Sequence, residues 1–252
     1  MKLKHTLTTC PYCGCGCGLH LVSDAKKVVG SYPSKNHPVS EGALCVKGWN
    51  AYEFVNRRDR LTSPLIKENN AFKKTNWETA LSLTANKLSE ISKKHGPDSV
   101  AFLSSAKTTN EENYLMMKLA RAVFKTNNVD HCARLCHAST VVGLAATFGS
   151  GAMTNSINEF KDADVYLITG SDTTAQHPLI GSRIINSVLD RGAKLIVIDP
   201  RKIELAKYAD VYAAQKNGTD VAWINTMMNV IICEGLYDKT YVEERVEGFG
   251  AL

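Results

Sequence analysis

Four cysteines fall inside one short glycine-rich run, Cys10-Pro11-Tyr12-Cys13-Gly14-Cys15-Gly16-Cys17-Gly18, and a fifth stands in Leu44-Cys45-Val46-Lys47-Gly48. Cys10, Cys13 and Cys17 form a C-x-x-C-x-x-x-C pattern that Cys45 completes from a distance. Four soft thiolates from one tight loop and one remote loop suit an iron–sulfur cluster, and the glycines let the backbone fold close around a bulky inorganic core. Zinc also takes four cysteines, but its ribbons usually supply two separated C-x-x-C pairs, and the second pair is missing. Cys15 falls outside the ligand spacing and reads as an unligated thiol. A second reactive candidate is Cys136-His137, where Arg134, His137 and the start of a helix over Ser139 to Leu144 would favour the thiolate. Cys132 and Cys233 read as structural.

The elements that position these groups follow from the pattern of the chain. Residues 1–60 read as a small loop-rich unit with a hairpin of Leu19-His20-Leu21-Val22 and Lys27-Val28-Val29-Gly30. Its apolar content is too small for an independent core, so the cluster would act as its staple. Residues 61–131 read as an α/β segment of a discontinuous domain. In it, Thr75-Asn76-Trp77-Glu78 is expected to be a capping box, Gly96-Pro97 ends that helix, and Thr109 with Glu112 caps the next. Residues 132–252 alternate strand and helix: a buried strand at Asp164–Gly170, strands at Lys194–Asp199 and Val211–Ala214, a helix from Pro178 to Gly192, and one from an expected cap at Asp220 to Gly235. Near-continuous apolar strands joined by helices predict an α/β fold with a parallel, doubly wound sheet, incomplete within this chain. Three turns then follow strand ends: Gly170-Ser171-Asp172, Asp199-Pro200-Arg201 and Asn217-Gly218-Thr219-Asp220. Such ends bind ligands in open α/β sheets, and glycines admit a pyrophosphate. The lack of G-x-G-x-x-G argues against an ordinary NAD fold.

The 252 residues carry a formal charge of +5, with 44% hydrophobic and 22% charged residues. This is an ordinary soluble composition with no block of like charge, so a nucleic-acid surface is unsupported. No apolar run approaches the roughly 18 residues of a membrane span. The N-terminal residues form neither an h-region nor a twin-arginine signal, and unpaired cysteines suit a reduced compartment, so a cytoplasmic location is expected.

The segment from Cys10 to Lys47, followed by His131-Cys132-Ala133-Arg134-Leu135-Cys136-His137, resembles the molybdopterin oxidoreductase family, and within it the catalytic (alpha) subunits of cytoplasmic formate dehydrogenases. The resemblance runs along the whole chain but covers about the first third of such a subunit, which implies a fragment or one piece of a split enzyme. It implies a [4Fe-4S] cluster on Cys10, Cys13, Cys17 and Cys45, and a bis(molybdopterin guanine dinucleotide) centre with Mo or W. Cys136 would bind that metal, His137 would orient formate or receive its proton, and Lys47 would lie on the electronic path between pterin and cluster. Gly170, Ser171, Asp199, Arg201, Gly218 and Asp220 would hold one dinucleotide, with Asp199 or Asp220 reading guanine and His177 touching phosphate or pterin. The implied reaction is oxidation of formate to CO2, or its reverse. Electrons would pass to an iron–sulfur or flavin subunit linked to F420 or ferredoxin, and the C-terminal portion of the catalytic subunit would complete the site. The rivals are a nitrate reductase or formylmethanofuran dehydrogenase of the same family, a non-catalytic iron–sulfur scaffold resembling the large subunit of respiratory complex I, and a zinc-stapled binding module. The Cys136-His137 pair favours formate chemistry over a scaffold.

Overall fold

A computed structural model describes residues 2–252. The chain forms two compact units. The first comprises the residues up to Phe160 together with His177–Ile180; the second comprises Lys161–Gln176 and Gly181–Leu252.

The first unit begins with an antiparallel sheet of β1 (Lys4–Thr9), β2 (Gly18–Ser23) and β3 (Val28–Pro33), with β2 in the centre. The predicted hairpin is β2–β3, with Leu21 opposite Ser31 and His20 opposite Tyr32. Asp24 Oδ1 closes its turn by accepting the N–H groups of Lys26 and Lys27 at 2.7 and 2.8 Å. β1 was not expected; its side chains are all exposed, so it carries no alternation of buried and open positions. The short helix α1 (Val46–Trp49) follows Cys45, and the β4–β5 hairpin (Leu65–Glu68, Ala71–Lys74) leads to α2 (Trp77–His95).

The cap of α2 differs from the sequence expectation. Asn76, not Thr75, is the N-cap, and its side chain accepts the Thr79 N–H at 2.8 Å. Both residues can cap, and the shorter register places the amide oxygen over the first free N–H groups. The box expected at Thr109 and Glu112 is present at α3 (Asn110–Lys118), with reciprocal bonds of 2.8 and 3.2 Å. A small core of Val100, Phe102 and Ala120, joined by Leu88 and Met116, holds the parallel pair β6 (Phe102–Leu103) and β7 (Val129–Asp130) against these helices. Two helices, α4 (Ala133–Cys136) and α5 (Ala138–Phe148), meet at His137.

The second unit is built on a parallel sheet in the order β10-β9-β8 (Val211–Ala213, Lys194–Ile198, Val165–Thr169). The order advances in one direction, as in one half of a doubly wound sheet. The register sets Tyr166 beside Leu195 and Ile168 beside Val197. Leu195 and Val197 are fully buried, as are Ile184 of α7 (Pro178–Arg191) and Leu205 in the turn after β9, so the core lies on that side. The opposite side leaves Val165, Leu167 and Val211 exposed. The short α6 (Thr173–Gln176) precedes α7; α8 (Asp220–Cys233) and α9 (Lys239–Arg245) follow the sheet. Thr219, rather than Asp220, is the N-cap of α8, and Asp220 is its first helical residue.

Candidate functional site

The cysteine loop is closed by backbone bonds. Cys10 N–H donates to Cys17 O at 2.8 Å and Gly16 N–H to Cys13 O at 3.2 Å, a tight turn that needs the positive φ of Gly16 (58°). The chain enters β2 at Gly18, whose N–H donates to Ser40 Oγ at 3.2 Å. A Cβ at Gly18 would lie 2.3 Å from the His37 ring, so only glycine admits that packing. His37 Nδ1 in turn lies 3.3 Å from Ser40 Oγ. Lys107 Nζ reaches across from before α3 to donate to Tyr12 O.

Cys10, Cys15, Cys17, Leu19, Ala51 and Leu179 form one buried cluster, with Tyr12, Cys13, Leu44 and Ile180 packed on it. Cys10 and Cys17 lie within electrostatic range of each other and each of Cys13 and Cys45, and Lys47 lies within range of Cys10. Burial pushes Cys17 up to about 12, reinforced by the charges of its thiolate neighbours. Cys10 is raised by burial, partly offset by the Tyr12 N–H. Burial likewise pushes Cys15 up to about 11, helped by the charge of Cys13 and a hydrogen bond to it, and opposed by backbone N–H bonds from Ile180 and Leu179. Gathered thiols that resist ionisation on their own fit a site whose positive charge comes from bound metal, because thiolates are the ligating form. Among the described residues no three His, Cys, Asp or Glu side chains converge on a single-ion position. Cys10, Cys15 and Cys17 share one buried cluster with Cys13 packed on it, and Cys45 stands half-buried outside that cluster; sulfur donors are the chemistry an iron–sulfur core takes.

Cys136 and His137 present a different environment. Cys136 ends α4 and His137 (φ −146°, ψ 35°) is the hinge before α5, so both stand at the N-terminus of an 11-residue helix. The helix expected at Ser139 to Leu144 thus starts one residue earlier and runs to Phe148. Both residues are exposed, as is Cys132. Arg134, expected to favour the Cys136 thiolate, is paired with Asp130 at 3.7 Å.

The three strand-end turns lie at the carboxyl edge of one parallel sheet. Gly170 N–H donates to Ile198 O at 3.2 Å, which sets Gly170-Ser171 beside Asp199. Asp199 is 4% exposed, and its Oδ1 accepts the Arg201 N–H at 2.8 Å. The Arg201 side chain extends to Asp172 at 3.7 Å. Ser171 Oγ lies 2.9 Å from Thr173 Oγ1. Gly218 has φ 79° in the turn after β10, and Asp220 Oδ1 accepts the Trp223 Nε1–H at 3.4 Å. This edge brings Gly170, Ser171, Asp199 and Arg201 into one neighbourhood. His177, grouped with them in the sequence reading, belongs to the first unit and lies by the cysteine loop: a Cβ on Gly14 would be 3.6 Å from its Nε2. Residues that the spacing did not reveal are Ser40, His37, Lys107, Leu179 and Ile180, which hold the cysteine loop from remote positions; no local pattern in the sequence points to them.

Residues 3–57 match the molybdopterin oxidoreductase Fe4S4 domain, and residues 60–242 match molybdopterin oxidoreductase. All of this chain aligns at 52% identity with the F420-dependent formate dehydrogenase subunit alpha of Methanocaldococcus jannaschii, over 37% of that protein. Formate dehydrogenase H of Escherichia coli is 42% identical over 98% of this chain and 35% of its own length. Among solved structures, acetylene hydratase from Pelobacter acetylenicus superposes with a TM-score of 0.78 at 27% identity, covering 94% of this chain and 33% of that one. The chain therefore spans little more than a third of the relatives it matches. A [4Fe-4S] cluster and a molybdopterin carrying Mo or W are the cofactors of these domains. With four cysteines gathered in the Fe4S4 domain and a parallel α/β sheet following it, the chain belongs to the molybdopterin oxidoreductase family.

Proposed function

We propose that the chain is the cluster-bearing part of a formate dehydrogenase catalytic subunit, carrying out HCOO⁻ → CO2 + H⁺ + 2e⁻ or its reverse. The observation that carries this reading is the 52% identity with a formate dehydrogenase alpha subunit along all 252 residues. When bound, the Mo or W of a bis(molybdopterin guanine dinucleotide) supplies two-electron chemistry and the cluster supplies one-electron steps. Cys10, Cys13, Cys17 and Cys45 hold the cluster, and the Lys47 ammonium offsets its negative charge beside Cys10. Cys136 provides the thiolate for Mo or W at the start of α5, where the helix N-terminus favours an anion. His137 orients formate and holds the proton that leaves it. Gly170, Ser171, Asp199, Arg201, Gly218 and Asp220 hold a guanine dinucleotide at the sheet edge, with backbone N–H groups toward phosphate and a carboxylate toward the base. His177, whose ring lies beside Gly14, would contact a phosphate or the pterin.

Because the matched relatives include three F420-dependent enzymes, the electrons leave to an F420-linked iron–sulfur or flavin subunit in the cytoplasm. Among the described residues no helix is long and apolar enough to cross a membrane. A second reading, a different reaction on the same scaffold, is favoured by one observation, the fold likeness to acetylene hydratase. The test is formate-dependent reduction of dye and of F420 by the assembled holoenzyme. Cys136→Ser should abolish turnover with both acceptors while the reduced-cluster EPR signal persists. A wild-type holoenzyme loaded with iron and Mo or W that leaves formate unchanged would overturn the proposal in favour of the second reading.

A further inference from the structure

The net charge of this molecule sits in one place. Residues 1–60 hold nine Lys or Arg and four Asp or Glu, while the rest of the chain holds twenty-one of each. The whole excess of +5 therefore belongs to the stretch that carries the cysteine loop. Two turns of that stretch gather four of the cations. The first joins β2 to β3, is closed by the Asp24 N–H to Lys27 O bond at 3.0 Å, and displays Lys26 and Lys27. The second is Arg57–Arg60, closed by the Arg60 N–H to Arg57 O bond at 3.2 Å. Asn56 clamps the two side by side: its Oδ1 accepts the Val28 N–H at 3.3 Å, and its Nδ2 donates to Val28 O. Lys26, Lys27, Arg58 and Arg60 are all exposed. Asp59 is held by Arg57 at 3.0 Å, and Asp24 Oδ1 by the N–H groups inside its own turn. The patch also reaches the cysteine loop. The Arg60 guanidinium lies 5.6 Å from the Phe54 ring centroid, and Phe54 meets the Tyr12 ring edge to face at 6.3 Å.

We propose that Lys26, Lys27, Arg58 and Arg60 form the docking face for an iron–sulfur carrier protein with an acidic surface. The inference rests on the electron-transfer reading given above and names the kind of partner it needs. At each docking one electron passes from the reduced cluster to the oxidised carrier, so two dockings discharge one formate. Electron transfer falls steeply with distance, so a carrier must settle close to the cluster loop. The contacts from Arg60 through Phe54 to Tyr12, which stands between Cys10 and Cys13 in the sequence, put the patch beside that loop. A cationic patch steers an anionic carrier to this spot, and exposed charges hold it weakly enough to release it after each electron. Four charges on two tight turns make a compact spot, unlike the extended stripe that tracks a phosphate backbone.

The test uses the assembled holoenzyme and, as carrier, a plant-type [2Fe–2S] ferredoxin of net negative charge. Association is followed by stopped-flow fluorescence of labelled ferredoxin, and electron transfer by its bleaching under formate. The wild-type association rate should fall about tenfold as salt rises from about 20 to 200 mM. Arg58→Glu with Arg60→Glu should lower that rate about five- to twentyfold at the lower salt. Lys93→Glu with Lys94→Glu, the same charge change on α2, should stay within about twofold of wild type. Formate-dependent reduction of a neutral dye should be unchanged in both. Equal slowing in the two variants would overturn the proposal, because net charge rather than the patch would then act. A rate indifferent to salt would overturn it too, as would tighter binding of duplex DNA or anionic vesicles than of ferredoxin. Should the Arg58 and Arg60 variant fail to assemble, Lys26→Glu with Lys27→Glu takes its place with the same expected result and the same reversal. A wild-type holoenzyme that binds ferredoxin through this patch but leaves formate unchanged would defeat the proposed reaction while upholding the docking face.

Discussion

The cysteine loop and the Cys136-His137 hinge both carry candidate metal thiolates, yet they are built in opposite ways. Cys15 and Cys17 are almost wholly buried, and the loop is tied by groups as distant in sequence as Ser40, Lys107 and Leu179. Around Cys136 the neighbouring Leu135 is 95% exposed, and a nearby ion pair, Arg134 with Asp130, is a surface contact of little energetic weight. The first region packs its cysteines into a buried cluster. The second sets a cysteine and a histidine, both exposed, at a helix start. The sheet repeats the contrast, with Leu195 and Val197 buried on one side and Val165 and Leu167 open on the other.

The largest effect should come from the cluster. Cys45→Ser should remove most of the visible iron–sulfur absorption of the reconstituted chain and expose residues 1–60 to proteolysis, whereas Cys136→Ser should leave that absorption intact; equal losses would erase the distinction between the regions. Next, Leu195→Ala should lower unfolding stability by about 2–5 kcal/mol, while Val165→Ala should change it by less than about 0.5 kcal/mol, measured by denaturant midpoints. A smaller pair compares two glycines. Gly18→Ala should cost about 1–3 kcal/mol because the methyl meets the His37 ring. Gly143→Ala, in α5 with nothing within 4 Å of the new methyl, should gain about 0.5–1 kcal/mol. The smallest effect is a pH dependence. The Lys194 hydrogen bond, followed by that from the Leu195 N–H, holds the Asp210 carboxyl below its ordinary range. The folded value lies below the unfolded one, so the contribution is present at neutral pH and lost as pH falls through the folded value. Asp210→Asn should flatten the acid limb of the stability curve slightly, and an unchanged curve would mean the pair is fully screened.

What the sequence made legible was whatever lies within a short stretch of chain. The Fe4S4 domain was legible from Cys10, Cys13 and Cys17 because their spacing is local, and the strands at Val165–Thr169 and Lys194–Ile198 were legible as largely apolar runs. The Thr109–Glu112 box was readable for the same reason. The cap at Asn76 was misplaced by one residue because Thr75 and Asn76 are both competent and only the backbone register decides. Thr219 displaced Asp220 likewise. The place of His177 beside Gly14 was not legible, since nothing in either segment encodes the other. β1 was missed because a strand exposed along its whole length has no pattern to read.

The bonds from Leu179 and Ile180 to Cys15 also set a schedule for synthesis. The loop leaves the ribosome some 165 residues before its last partners are made, an interval of roughly 8 to 33 s at about 5–20 residues per second. During that time Cys15 lacks its two backbone donors, and the neighbouring thiols stand open to oxidants and to stray metal ions. Delivery of iron and sulfide that waits for residue 180 would meet a loop already shaped to receive them; delivery before it would meet five competing thiols. Pulse-labelled nascent chains arrested before and after residue 180 should therefore differ sharply in how readily Cys15 is alkylated.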